Sequence, residues 1–352
     1  SLGQLCLTNN EMREEFKRNV RDILKKNPNT KLLSISQNDN LFYCQCQNCE
    51  AINQREGGPT GSLLDFVNYI ARDLKEDYPQ VWVDTLAYTY SRNIPKNIRP
   101  ESNVMIRLCA DGCDFSRPLD APENAKFYKQ LQDWKKISPQ IGIWNYIANF
   151  FHFLIPHPNM KAWGRDLRMF ADNNVKMVFQ ETDNKTYAGP FMPLRVWLTA
   201  KLLWNPYQAQ DKLINEFLAG YYGNAAPFLR QQYDLLNQII EKSNYKSVAG
   251  VRLGMYANDT PWLDVENIIK LYKLQLQAEN AVKNNPEFLK RVIHNAISFE
   301  VAVLSCGKEK ISPFFLVFLY IAGPIPIANS LFKPTPTRKW SLVVYVILGS
   351  LL

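Results

Sequence analysis

Five β-type apolar runs recur along the first half of the chain, with helix-type segments between them. Residues 32–37, 81–88, 104–109, 141–146 and 175–180 read as strands, rich in β-branched and aromatic side chains. Residues 63–74 carry Leu63, Phe66, Val67, Ile70, Ala71 and Leu74 on one helical face, and 124–134 and 163–171 have similar spacing. A further helix is expected over 10–26, before the first strand. Strands that alternate with helices pair in parallel, because parallel neighbours need a long crossover. That leaves a doubly wound sheet or a (β/α)8 barrel. No Gly-x-Gly-x-x-Gly or Gly-x-x-x-x-Gly-Lys element follows any strand, which removes the usual nucleotide-binding uses of the doubly wound fold.

The strand ends favour the barrel. Asn38-Asp39, Tyr88 and Tyr90, Asp111 and Asp114, Trp144 to Tyr146, and Glu181 and Asp183 stand at or beyond the carboxyl ends of the five strands, where a barrel places its site. The expected fold is α/β: a partial (β/α)8 TIM barrel over residues 1–194, made of about five C-terminal strands, with the helix over 10–26 following the missing third. Residues 195–305 turn helical and amphipathic, with breaks at Trp204-Asn205-Pro206 and Tyr221-Tyr222-Gly223-Asn224, and read as a helical domain. Residues 306–352 form an apolar tail.

Charge narrows the partners. The net charge is +8, but the tail holds Lys308, Lys310, Lys333, Arg338 and Lys339 against Glu309, which is half of that excess. No basic stripe remains in the rest of the chain, so nucleic acid is not expected as a partner. Residues 311–332 carry no charge and are long enough to cross a bilayer. Pro313, Pro324 and Pro326 interrupt them. A membrane is therefore a partner only if the tail is genuine, the alternative being a tail foreign to the fold. The start, Ser1-Leu2-Gly3, has neither an initiator Met nor a charged segment before an apolar core, so no signal peptide is read and the start is expected to lie inside a longer product.

Cys44, Cys46 and Cys49 form a Cys-x-Cys-x-x-Cys run that holds zinc if a fourth ligand arrives from elsewhere in the chain, for example Cys109 or Cys113. Local packing or one disulfide ranks ahead of metal, so neither a metal nor another cofactor is expected.

Cleaving a glycosidic bond takes two carboxyl groups, one to protonate the leaving oxygen and one to attack or to activate water. Asp39 and Glu181, on the first and last strands of the set, are the catalytic candidates. Asn38, Tyr88, Tyr90, Arg107, Asp111, Trp144, Asn145, Tyr146, His152 and His157 are candidates for substrate binding. Rings at the strand ends stack on sugar faces or pack locally, and Arg107 holds a substrate carboxylate or serves as an ion-pair partner. His152 and His157 have the spacing of a helical metal pair, but Pro156 and Pro158 exclude a helix there and leave them as loop residues. No Gly-x-Ser-x-Gly elbow occurs to support serine chemistry.

Several motifs in one order carry a family resemblance over roughly residues 4–304: Gln4-Leu5-Cys6-Leu7-Thr8-Asn9, Ser34-Ile35-Ser36-Gln37-Asn38-Asp39, the cysteine run, Arg99-Pro100, Ile106-Arg107-Leu108-Cys109, Ile143-Trp144-Asn145-Tyr146, Ala200-Lys201-Leu202-Leu203-Trp204-Asn205-Pro206 and Tyr221-Tyr222-Gly223. Together they resemble a bacterial family, found in Bacteroidetes and known as a domain of unknown function, that is grouped with TIM-barrel glycoside hydrolases near α-glucuronidases and β-hexosaminidases. The resemblance implies an exported protein with a glycan or polysaccharide as substrate. Members often carry Asp at the position of Asn145 and a Glu-Gln pair at Gln180-Glu181. An amide cannot exchange a catalytic proton. A glycoside hydrolase-like enzyme is therefore expected, and a glycan-binding barrel without hydrolysis is the alternative.

Overall fold

The computed structural model describes residues 3–150, 153–183, 186, 188–243 and 264–306, the side chains of 265 and 303–306 excepted. Five strands, β1 (Leu32–Ser34), β2 (Trp82–Ala87), β3 (Val104–Cys109), β4 (Gln140–Tyr146) and β5 (Met177–Glu181), pair in chain order and all in parallel. A doubly wound sheet reverses its order at a switch point. This one does not, and it curls into a half-barrel.

The strand pattern sorts the side chains. Successive residues face opposite sides. Val104, Ile106 and Leu108 of β3 and Ile141 and Ile143 of β4 are buried on one face, which the helices cover. There α3 (Thr60–Leu74) brings Leu63, Val67, Ile70 and Leu74, and α4 (Ala125–Ile137) brings Phe127, Leu131 and Trp134, all buried. Each fully buried aliphatic side chain contributes about 1.5–3 kcal/mol. The opposite, concave face holds Asp84, Arg107, Trp144, Tyr146 and Glu181, as the registers Leu86 to Arg107, Cys109 to Trp144 and Tyr146 to Glu181 require.

The helix α1 (Asn10–Lys26) has the expected bounds, with the Asn9 side chain accepting from Met12 N–H as its cap. The stretch between β1 and α3 is polar, as in a loop, yet it is partly helical. It contains α2 (Gln47–Glu56), with Cys46 as N-cap and Gly57 ending it in the left-handed region at φ 84°. The helix buries little apolar surface, Cys49 apart, so it carries almost no periodic signal. It turns sharply into α3, and a Cβ on Gly61 would lie 2.6 Å from Glu56 Cβ, which is why glycine stands there.

The helix α5 (Trp163–Asp172) lies between β4 and β5. Five more follow: α6 (Met192–Trp204), α7 (Gln210–Tyr222), α8 (Ala226–Lys242), α9 (Val265–Val282) and α10 (Pro286–Cys306). Buried amides stitch the last three. Gln232 Nε2 donates to Leu271 O at 3.1 Å, Gln275 Nε2 to Val292 O at 3.0 Å, and Asn295 Nδ2 to Gln232 Oε1 at 3.3 Å. Arg195 of α6 reaches the loop after β4, donating to His157 O at 3.1 Å and to Asn159 Oδ1 at 2.8 Å. Among the described residues no helix is long and apolar enough to cross a membrane. The apolar runs 311–332 and 340–352 lie outside the described residues.

Candidate functional site

The carboxyl edge of the sheet gathers three acidic groups. Asp39 follows β1 in a loop that the N-terminal segment holds. Gln4 Nε2 donates to Asn38 O at 2.8 Å, Asn38 N–H donates back to Gln4 Oε1 at 2.9 Å, and Asn38 Nδ2 donates to Gly3 O at 3.1 Å. Asn38 thus spends its polar groups on shaping the loop. Tyr88, just past β2, donates its hydroxyl to Asp39 Oδ1 at 2.9 Å. Burial, then Asp39, then the charge of Asp111 push the Tyr88 phenol up, so it stays a donor. Asp111, just past β3, is ion-paired with Arg92. Burial raises its pKa against that pairing, and Asp39 adds to the rise. Glu181 ends β5 and accepts from Trp144 Nε1 at 2.7 Å.

Below this edge the concave face carries a buried ion pair. Arg107 Nη2 is ion-paired with Asp84 Oδ2 at 2.6 Å, and the guanidinium lies 5.6 Å from the centre of the Trp144 ring. Trp144 also meets Phe179 edge to face, with centroids 4.6 Å apart, and Phe179 is 42% exposed. Asp84 is held up by burial while Arg107 draws it down. Arg107 is thus an ion-pair partner here. Its partner was legible: an Asp in the middle of the apolar run 81–88 needs a cation from the next strand. Arg92 and Phe179 had no comparable signal.

Other candidates stand elsewhere. Asn145 lies on the opposite face of β4 from Trp144 and Tyr146, buried, and donates to Gln180 Oε1 at 2.8 Å. His157 is buried beside Arg195, and burial pushes its pKa well down, so it is a neutral core residue. His152 lies outside the described residues. Tyr90 packs on Tyr43 with centroids 5.2 Å apart, and burial pushes its phenol up to about 12. Both line a cavity of about 60 Å³ together with Asn38, Phe66, Cys44 and Cys49, behind the Asp39 loop rather than between Asp39 and Glu181. Tyr146 closes the edge between Phe115 and Phe150, at 6.1 and 5.9 Å.

A family model described as a domain of unknown function, DUF4838, matches residues 1–234. The chain belongs to this family. The DUF4838 match takes in all five strands and runs into α8, ending short of the 304 that the motifs mark out. No curated protein matches the chain.

Within the DUF4838 match the cysteine run gains a partner that its spacing does not reveal. The Sγ atoms of Cys6, Cys44, Cys46 and Cys49 all lie within 4.8 Å of one another. The fourth sulfur is therefore Cys6, not Cys109 or Cys113. Cys46 is pushed down to about 6 by the Cys49 N–H, followed by the Thr8 and Cys6 side chains.

Proposed function

We propose that this DUF4838 chain is a glycoside hydrolase-like protein that acts on glycans through carboxyl acid/base chemistry. The observation that carries the reading is the placement of Asp39, Asp111 and Glu181 at one end of a single parallel sheet. Half of a barrel whose edges, β1 and β5, have no further partner strand among the described residues is completed most simply by further parallel strands, so the proposed fold is a (β/α)8 barrel with a helical domain after it. Asp39 and Glu181 remain the proposed pair. Asp111 is the third carboxyl, and its burial suits the proton-donor role, which needs a raised pKa. Trp144 and the exposed Phe179 offer flat faces to a pyranose. Bacterial origin and export follow from the resemblance in the motifs.

The second reading, a glycan-binding barrel without hydrolysis, draws on a different observation. Each of the three carboxyls already has a partner: Tyr88, Arg92 and Trp144. A screen of the purified protein against aryl glycosides and aryl uronides tests the first reading. Hydrolysis reduced about a hundredfold or more by Asp39→Asn, Asp111→Asn or Glu181→Gln supports it. Saturable oligosaccharide binding without turnover replaces it with the second, and neither activity nor binding sinks both.

A further inference from the structure

Four thiols converge where the N-terminal segment meets the loop after β1 and the start of α2. Cys6 Sγ lies 3.6 Å from Cys46 Sγ and 4.0 Å from Cys49 Sγ, and with Cys44 all four sulfurs fall within 4.8 Å of one another. Zinc–thiolate bonds of about 2.3 Å in a tetrahedron place sulfurs about 3.8 Å apart. The observed separations bracket that value. A disulfide draws two sulfurs to about 2.05 Å, and it joins them in twos rather than around one point. Thiol packing needs no common centre either.

We propose that Cys6, Cys44, Cys46 and Cys49 form a closed, structural four-thiolate site for Zn2+. Four protein ligands leave no position for substrate, so the site holds the fold and does no chemistry. Binding exchanges thiol protons for the metal, releasing up to four of them. The surroundings suit the negative charge of a zinc tetrathiolate. Cys46 caps α2 and Cys49 lies in its first turn, so both sulfurs sit at the positive end of that helix. Thr8 Oγ1 lies 3.2 Å from Cys49 Sγ and 3.7 Å from Cys46 Sγ, where its hydroxyl can donate to sulfur and orient it.

The site is a staple in the chain. Cys6 and Cys46 are 40 residues apart, and the loop between them contains α1, β1 and Asp39. Gln4, two residues before Cys6, hydrogen-bonds Asn38. The metal would thus hold both sides of the loop that presents Asp39, yet it touches neither Asp39 nor Tyr88.

The full chain, purified under reducing conditions after growth with zinc, tests this by elemental analysis. About one equivalent of zinc per chain is expected, with loss to below about a tenth in Cys6→Ser and retention in Cys113→Ser. Since a ligand variant can fail to fold, the reduced wild-type chain is also titrated with Co2+. Intense visible bands of tetrahedral thiolate coordination that disappear on adding Zn2+ support the site independently. The proposal is overturned if the reduced, folded chain takes up neither metal, if Cys6→Ser keeps its zinc, or if the four cysteines prove to be joined as disulfides that resist mild reduction. None of these readouts involves glycan, so failure here is distinct from failure of the hydrolase reading.

Discussion

Trp144 Nε1 donates to Glu181 Oε2 at 2.7 Å, a diagonal bond between β4 and the edge strand β5, since Trp144 stands opposite Phe179 in the register. The bond fixes the carboxyl on an otherwise open face. Trp144→Phe removes the donor and keeps most of the ring, so it should cost about 1 kcal/mol in urea unfolding. Glu181→Gln keeps a carbonyl acceptor. It should leave the melting temperature nearly unchanged while reducing any glycan turnover about a hundredfold. Equal loss of stability and activity in Glu181→Gln would make the residue a structural brace.

Arg107 and Asp84 form the next relationship, with the Asp84 side chain fully buried and that of Arg107 12% exposed. Arg107→Met strands a buried carboxylate and should destabilise the protein by about 3–5 kcal/mol. The double variant Asp84→Leu with Arg107→Met removes both charges and should recover most of that loss. Chemical denaturation of Arg107→Met, Asp84→Leu and the double variant checks the coupling, and additive losses would contradict it.

What the sequence reveals follows from where the signal lies. The α3 helix announces itself because its burial is periodic, and the strands because they are short apolar runs rich in β-branched and aromatic residues, with β3 emerging at the expected bounds Val104–Cys109. The α2 helix does not, because its burial is carried by Cys49, Asn53 and Glu56 instead of an apolar stripe. The strand-end rule places Asp39, Asp111 and Glu181 at one edge, whereas it cannot tell which face a residue takes. Hence Asn145, one residue from Trp144 and Tyr146, turns to the opposite side and pairs with Gln180. Long-range partners are the least legible. Nothing in the spacing of Cys44, Cys46 and Cys49 points to Cys6, because chain closure over that distance is set by the fold.

Glu56 gives a pH dependence with a definite sign. Its buried carboxylate accepts from Asn97 N–H at 2.7 Å, Ile98 N–H at 2.9 Å and Arg55 Nε at 2.8 Å. Burial opposes the charge, but Arg55 and the two backbone donors outweigh it and bring the carboxyl down to about 2 from an ordinary 4.5. A carboxyl that is lowered on folding stabilises the protein above its unfolded value. The contribution, about 3 kcal/mol, should therefore be complete above about pH 4.5 and be lost as pH falls toward about 2. Glu56→Gln should lower stability at neutral pH and flatten this part of the profile. A variant with the same acid slope as the wild type would assign the slope to other groups.

Thr89 occupies the left-handed region at φ 49°, between the two tyrosines Tyr88 and Tyr90. A β-branched residue is strained there, at a cost of about 1–3 kcal/mol. The turn is held from outside. Gln37 Nε2 donates to Tyr88 O at 2.9 Å and to Ser91 Oγ at 2.8 Å, and Tyr88 N–H donates to Ser91 Oγ at 3.2 Å. The Thr89 hydroxyl is also buried without a hydrogen-bond partner among the described residues, a further loss relative to water. Thr89→Gly relieves both penalties and adds only the entropy of a freer unfolded chain, about 1 kcal/mol. It should raise stability by about 1 kcal/mol, read as a higher midpoint in urea at an unchanged slope. Gln37→Ala should act in the opposite direction, since it releases the clamp that keeps the strained turn in place. If Thr89→Gly stabilises the fold while weakening glycan binding or turnover, the turn is strained in order to place the tyrosine; if it stabilises without that effect, Gln37 and Ser91 alone suffice to place it.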